Sequence, residues 1–532
     1  MSNDQLQLWE RFQEYYYEFP SLGLRVDLSR MHFGEDYFAT MLPRVQAAFR
    51  EMDELEAGGI ANADEKRMVG HYWLRNPALS PSAKIRQEIE STLAGIEAFT
   101  ADVHAGLIKG QQGEFKHLLL IGIGGSSLGP QFVAHALGHP ATNRLTPFFF
   151  DNTDADGMER VLAAIGSGLG RTLCIVISKS GGTKETQNGM LQAMKAFEVA
   201  GLDFCKHAVA ITRDSSELHQ FARQSGWLRI FPMWDWVGGR TSELSAVGLL
   251  PASLQGIDVK QLISGAKACD EMTRTKSIES NPAVQLALMW FHAGAGTGSK
   301  NMVVLPYRDR LELFSKYLQQ LVMESTGKAL DRNGKCVEQG ITVFGNKGAT
   351  DQHSYLQQLR DGRNDFFVIF IEVLRAKHGI GHPIQSVSQS DDYLSGFYLG
   401  TRQALTENGR ESLSLTIDEV NPFTVGLLIA LFERAVGFYA SLVNVNAYHQ
   451  PGVEAGKTAA QRIIVIQSIA TVVLKANPGT FLTAYEIAQK GGITSEIEHV
   501  FKICARLAAL PSSGVCKQQG SGPADTKFTT AV

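Results

Sequence analysis

"LLLIGIGGSSLGPQ", Leu118–Gln131, runs from apolar residues abruptly into glycines and serines and then into a helix start. Such a sequence reads as a strand feeding a phosphate loop, because orphan N–H groups and the helix dipole both favour an anion there. Its glycines decide which phosphate. A dinucleotide fingerprint needs GxGxxG, and after Gly122 and Gly124 the third glycine position is Ser127. Asp151 in "FFFDN" stands where a ribose-binding carboxylate would, but it does not replace that glycine. No GxxxxGK[ST] motif occurs, so a nucleoside triphosphate lacks its loop as well. A second loop of similar build, "CIVISKSGGTKETQNGM", ends a strand at Ile177 and presents Ser178, Lys179, Ser180 and Thr183 before a helix. Two hydroxyl-rich loops fit a ligand with one phosphate and little else, such as a sugar phosphate.

Outward from these loops the pattern alternates. "HLLLIGIG", "PFFFDN", "TLCIVISKS", "HAVAIT" and "LRIFPM" read as strands separated by helices, the signature of βαβ units and a parallel sheet. A second series begins with "NMVVLPY", "ITVFG" and "DFFVIFIEV". The fold class is therefore α/β, with two parallel-rich sheets. Residues 1–95 read as helical, with apolar residues three and four apart. We expect a small α/β domain over 96–254, a large one over 255–476, a helical unit over 477–510 and a disordered polar tail over 511–532. Pro422 sits near a helix start, where its missing N–H costs least.

At 532 residues the chain exceeds one ordinary core. With 44% hydrophobic and 20% charged residues and a net charge of −4, it offers no electrostatic reason to expect nucleic acid or anionic membrane. The helix–turn–helix pattern of "GTFLTAYEIAQKGGITSEIEHVFKICARLAAL" is read against that balance, because groove binding rests on basic charge. Six cysteines without CxxC spacing suggest neither a disulfide framework nor a zinc site, and a reducing cytoplasm is expected. No leader is apparent at the N-terminus, and no apolar run reads as long enough to span a membrane.

Aldose–ketose interconversion requires an acid to open the ring, a base for a carbon-bound proton, a cation near the enediolate and exclusion of water. Glu324 in "LVMESTGKAL" is a carboxylate in an apolar helical run, where lost hydration would strengthen it as a base. His353 in "GATDQHSYLQQL" follows a glycine-containing turn. Arg240 in "WVGGRTSELSAVGLL" follows two glycines that let the backbone bring a guanidinium close to a ligand, and Lys457 closes "QPGVEAGKTAAQ". Each alone also has a structural reading.

Together and in order, "IGIGGSSLGP", "ISKSGGTKET", "VGGRTSELSAVGL", "MESTGKAL", "GATDQHSYLQQL" and "QPGVEAGK" resemble the glucose-6-phosphate isomerase (phosphoglucose isomerase) family. The resemblance implies two α/β sandwich domains, the smaller inserted in the larger, and reversible conversion of D-glucose 6-phosphate and D-fructose 6-phosphate through a cis-enediol, with no cofactor and no metal. It gives Glu324 the role of base and His353 and Lys457 the ring-opening protons, while Arg240 stabilises the enediolate. Ser178, Lys179, Ser180 and Thr183 would hold the phosphate, and Gly125, Ser126, Gln320 and Gln450 would line the sugar. It also implies a homodimer in which His353 is donated across the interface. The loop "SKSGGT" departs from a Thr-rich version in many relatives, and Pro451 replaces a common aromatic residue. Non-catalytic phosphosugar sensors and dual phosphoglucose/phosphomannose isomerases share these loops; a sensor needs neither Glu324 nor Lys457.

Overall fold

In chain order the strands are β1 (Tyr16–Phe19), β2 (Leu24–Arg30), β3 (His117–Ile121), β4 (Thr146–Phe150), β5 (Thr172–Ile177), β6 (Ala208–Thr212), β7 (Arg229–Pro232) and β8 (Asn301–Pro306). They continue as β9 (Lys328–Leu330), β10 (Cys336–Gln339), β11 (Val343–Phe344), β12 (Phe366–Val373), β13 (Ser412–Ile417), β14 (Leu482–Thr483), β15 (Val515–Gln518) and β16 (Lys527–Thr530). This computed structural model describes residues 3–376 and 390–531. By contacts the chain forms two compact units, Met1–His449 and Gln450–Val532.

The first unit carries both α/β sheets. One has five parallel strands in the order β4-β3-β5-β6-β7. Every residue of β5 is buried, as expected for a central strand covered by helices on both faces. The chain leaves β3 for β4 on one side and returns to β5 on the other, so the strand order reverses between β3 and β5. Ligand crevices of open α/β sheets lie at such a reversal, beyond the carboxyl ends of the strands. Both hydroxyl-rich loops follow these two strands.

The second sheet runs β1-β2-β13-β12-β8-β11 and is parallel from β11 to β13. Its strands flank the five-stranded sheet in sequence. Behind it the helices Val259–Thr273 and Pro422–Leu442 meet almost backbone to backbone. A Cβ on Gly265 would stand 1.8 Å from the Phe423 carbonyl oxygen, and one on Gly426 would stand 1.9 Å from that of Leu262. Asn421 caps the second helix in a reciprocal capping box with Thr424.

Several sequence expectations need correction. Residues 1–95 are not all helical: β1 and β2 form an antiparallel edge to the second sheet, β2 pairing with β13. The helix Pro422–Leu442 is long and apolar enough to cross a membrane, as is Ala459–Ala476. The first is almost wholly buried against its neighbours, so its apolarity serves the core of this unit.

The second unit begins at Gln450, not 477, because the helix Pro451–Ala476 supplies Ile466, Ala470, Val473 and Leu474 to its core. The tail is not disordered. β16 pairs with both β14 and β15, and its Phe528 is fully buried, edge-on to Phe501 with ring centroids 5.8 Å apart. One aromatic at a strand centre outweighs the polar composition around it.

Candidate active site

The helix Phe314–Leu318 widens into a π-helical turn over Gln319–Glu324. Such turns occur often at functional sites because one inserted residue re-aims the side chains beyond it. Glu324 is its last residue, and the carboxylate lies 3.2 Å from Nε of Arg240. Arg240 itself is buried on a single 3-10 turn, Gly239–Thr241. Its guanidinium also donates to the Ala447 carbonyl at 2.7 Å, to the His449 carbonyl at 3.3 Å and to the Ser325 hydroxyl at 3.3 Å. Burial weakens the guanidinium's hold on its proton and Glu324 opposes this, so the ion pair offsets part of the cost of desolvation. A small cleft here is lined by Arg240 and Ser325 together with Arg67, His71, Asp235 and Glu433.

Gly125 has a use other than the one expected. A Cβ there would stand 1.9 Å from the Gly239 carbonyl oxygen, so the first loop approaches the Arg240 turn, and the Ser242 hydroxyl closes the junction on the Gly125 carbonyl at 3.4 Å. Gly124, at φ +61°, faces Gln320 of the π-turn, whose Nε2 lies 3.2 Å from where its Cβ would be. Ser126 is half-buried beside them. The structure therefore brings Gly125, Ser126, Gln320, Arg240 and Glu324 together.

The second loop is organised by its own side chains. The Ser178 hydroxyl donates to Thr183 Oγ1 at 3.2 Å and accepts from the Gly181 N–H at 3.1 Å, while Ser180 Oγ accepts from the Gly182 N–H at 3.2 Å. Thr183 stands at the N-cap of the helix Lys184–Val199, where unpaired N–H groups and the dipole favour an anion. Lys179 points differently from a simple phosphate donor. Its Nζ is 3.0 Å from the carbonyls of both Asp235 and Val237, which ties this loop to the segment leading into Arg240. Burial pushes that ammonium down to about 8.

His353 ends the 3-10 turn Asp351–His353 and is exposed. The turn is stapled from beneath by buried Asp351, which accepts from the Asn346 N–H at 2.8 Å and from the Tyr355 hydroxyl. Among the described residues no hydrogen bond or ion pair joins His353 to Arg240 or Glu324. Gln450 precedes the helix Pro451–Ala476 and belongs to the second unit, as does Lys457, whose side chain lies outside the described residues.

Ser325, Lys328, Asp235 and His449 were not singled out by the sequence. Ser325 and Lys328 lie inside the quoted "MESTGKAL" and Asp235 two residues before "VGGRT", so spacing from the candidates was the signal that could have found them. Among the described residues no cluster of three or more His, Cys, Asp or Glu is placed to hold a metal ion.

The phosphoglucose isomerase family model matches residues 27–409 and 402–480. Glucose-6-phosphate isomerase of Geotalea daltonii is 56% identical over 526 residues, covering 99% of each chain. That of Geobacter sulfurreducens is 56% identical over 525 residues, covering 98% of this chain and 99% of the relative. Among solved structures, a glucose-6-phosphate isomerase from Chlamydia trachomatis superposes with a TM-score of 0.78 at 26% identity, over 86% of this chain and 91% of that one. The chain belongs to the phosphoglucose isomerase family.

Proposed function

We propose that this protein is an isomerase that interconverts D-glucose 6-phosphate and D-fructose 6-phosphate, a step of glycolysis and gluconeogenesis. The observation that carries the reading is the ion pair of Glu324 with buried Arg240, at 3.2 Å, beside loops suited to a monophosphate. The reaction moves one proton between neighbouring carbons and leaves no net charge. It needs a base on one face of the open chain and a fixed cation where the enediolate oxygen gains charge. Glu324 takes the C2 proton of the aldose and returns it to C1, Arg240 stabilises the intermediate, and the hydroxyl proton passes from O2 to O1.

Ser178, Ser180 and Thr183 bind the phosphate, with Lys179 contributing once released from the Asp235 and Val237 carbonyls. Gly125, Ser126 and Gln320 border the sugar, and Gln450 is assigned to it from the sequence. His353 and Lys457 handle the ring-opening protons, Lys457 on sequence grounds alone. The exposure of His353 supports its donation to the site of a second copy in a homodimer. No cofactor or metal enters this chemistry, and we place the enzyme in the cytoplasm.

The test is a coupled assay of the purified protein on fructose 6-phosphate, with mannose 6-phosphate beside it and Glu324→Gln as control. Turnover of fructose 6-phosphate that Glu324→Gln abolishes, with phosphosugar binding intact, supports the reading. Binding without turnover in the wild type would make the protein a sensor. Turnover of mannose 6-phosphate as well would broaden the substrate class.

A further inference from the structure

Four residues beyond Glu324 the chain passes from helix into β9, and Lys328, its first residue, turns inward to 5% exposure. Its Nζ donates to the main-chain carbonyl of Glu324 at 2.7 Å. That carbonyl is at the end of the π-turn, where helical donors run out. The Gly327 N–H goes back to Met323 at 2.8 Å and the Thr326 hydroxyl to Val322 at 2.8 Å, which leaves the Glu324 carbonyl to the lysine. The side chain thus closes the turn that aims the carboxylate.

An ammonium has three donors, and among the described residues Lys328 has no second hydrogen-bond partner. A buried ammonium with one neutral acceptor is costly unless its charge is used. The groups facing it are Arg240 on the Gly239–Thr241 turn, Glu324 on the π-turn and Asp64 and His449 on loops. Burial and repulsion by Arg240 bring Lys328 down to about 8, against the attraction of Glu324 and Asp64. His449 is pushed down by burial.

We propose that Lys328 is a positioning residue for the isomerisation: it holds the Glu324 main chain at the end of the π-turn and so fixes the aim of the carboxylate. The inference rests on the reading of Glu324 as the base.

The experiment measures kcat and KM, with thermal unfolding, for wild type, Lys328→Met, Lys328→Arg and Glu324→Gln on fructose 6-phosphate. Lys328→Met removes the donor that closes the turn, and misplacement of the base lowers its kcat between about tenfold and a hundredfold with KM little changed. Lys328→Arg, which keeps a long donor, recovers kcat. Should Lys328→Met fail to fold, Lys328→Gln, whose shorter side chain cannot make the same contact, gives the same split of kcat from KM.

A wild-type kcat in Lys328→Met overturns the proposal. So does a loss of kcat that Lys328→Arg does not recover and that only follows a lowered unfolding temperature. If Glu324→Gln turns over like wild type, the functional reading itself fails. If Glu324→Gln is inactive while Lys328→Met is normal, the Lys328 inference alone falls.

Discussion

The loop Ser178–Thr183 and the turn carrying Arg240 both follow strands of one sheet, yet they are held in opposite ways. In the first, side-chain hydrogen bonds span two to five residues, so the loop largely builds itself. In the second, the guanidinium's partners Ser325, Ala447 and His449 lie 85, 207 and 209 residues away in sequence. A phosphate pocket can be written locally because it needs only small hydroxyls at a helix start. A base and cation that must meet side by side need segments from the whole first unit.

That contrast predicts different failures. Glu324→Gln keeps shape and removes the base, so kcat should fall by about 10²- to 10⁴-fold with the sugar phosphate still bound; unchanged turnover in a coupled assay contradicts the assignment. Arg240→Lys keeps one charge but cannot reproduce the fork that reaches both carbonyls and Glu324. Its kcat should drop on the order of 10²-fold, with KM altered less. A variant with near wild-type kcat would mean that the distant partners of Arg240 do not matter.

In the local loop the effect should be on binding. Ser178→Ala with Thr183→Ala removes hydrogen bonds to a charged group worth about 1.5 to 3 kcal/mol each, so KM should rise at least about tenfold. A fall in kcat with unaltered KM would instead make the loop part of the chemistry. The mildest change probes the junction between loop and turn. Gly125→Ala drives a methyl group into the Gly239 carbonyl, and such overpacking costs about 1 to 3 kcal/mol, seen as a lower unfolding temperature. A neutral result would show that the two backbones are free to separate.

The same contrast explains what the sequence disclosed. The apolar runs of β3 to β8 and of β12 were legible, most plainly in β5, β6 and β12, where both faces of a parallel strand are buried. β13 was not, because "SLSLTI" looks half polar: its Ser412 and Ser414 are buried, and Ser414 Oγ accepts from the Tyr398 hydroxyl at 2.8 Å. β1 and β2 were hidden in a stretch whose surroundings have helical spacing, and the tail's strands in polar composition. At the site, the six ordered motifs named Glu324 and Arg240. They could not reveal that Gly125 serves the Arg240 turn, that Lys179 is engaged by carbonyls, or that Lys328 folds back on Glu324. Those are facts of tertiary contact, which no local pattern encodes.

The central claim is that Glu324 carries a proton between C2 and C1. The most direct measurement follows glucose 6-phosphate labelled with deuterium at C2 through turnover in ordinary water, for wild type and Glu324→Gln. A carboxylate carrying the label exchanges part of it with solvent, so the wild-type product should hold deuterium at C1 in less than full amount, and Glu324→Gln should neither transfer nor release it. Complete retention of the label at C1 by the wild type, or undiminished transfer in Glu324→Gln, would contradict the account.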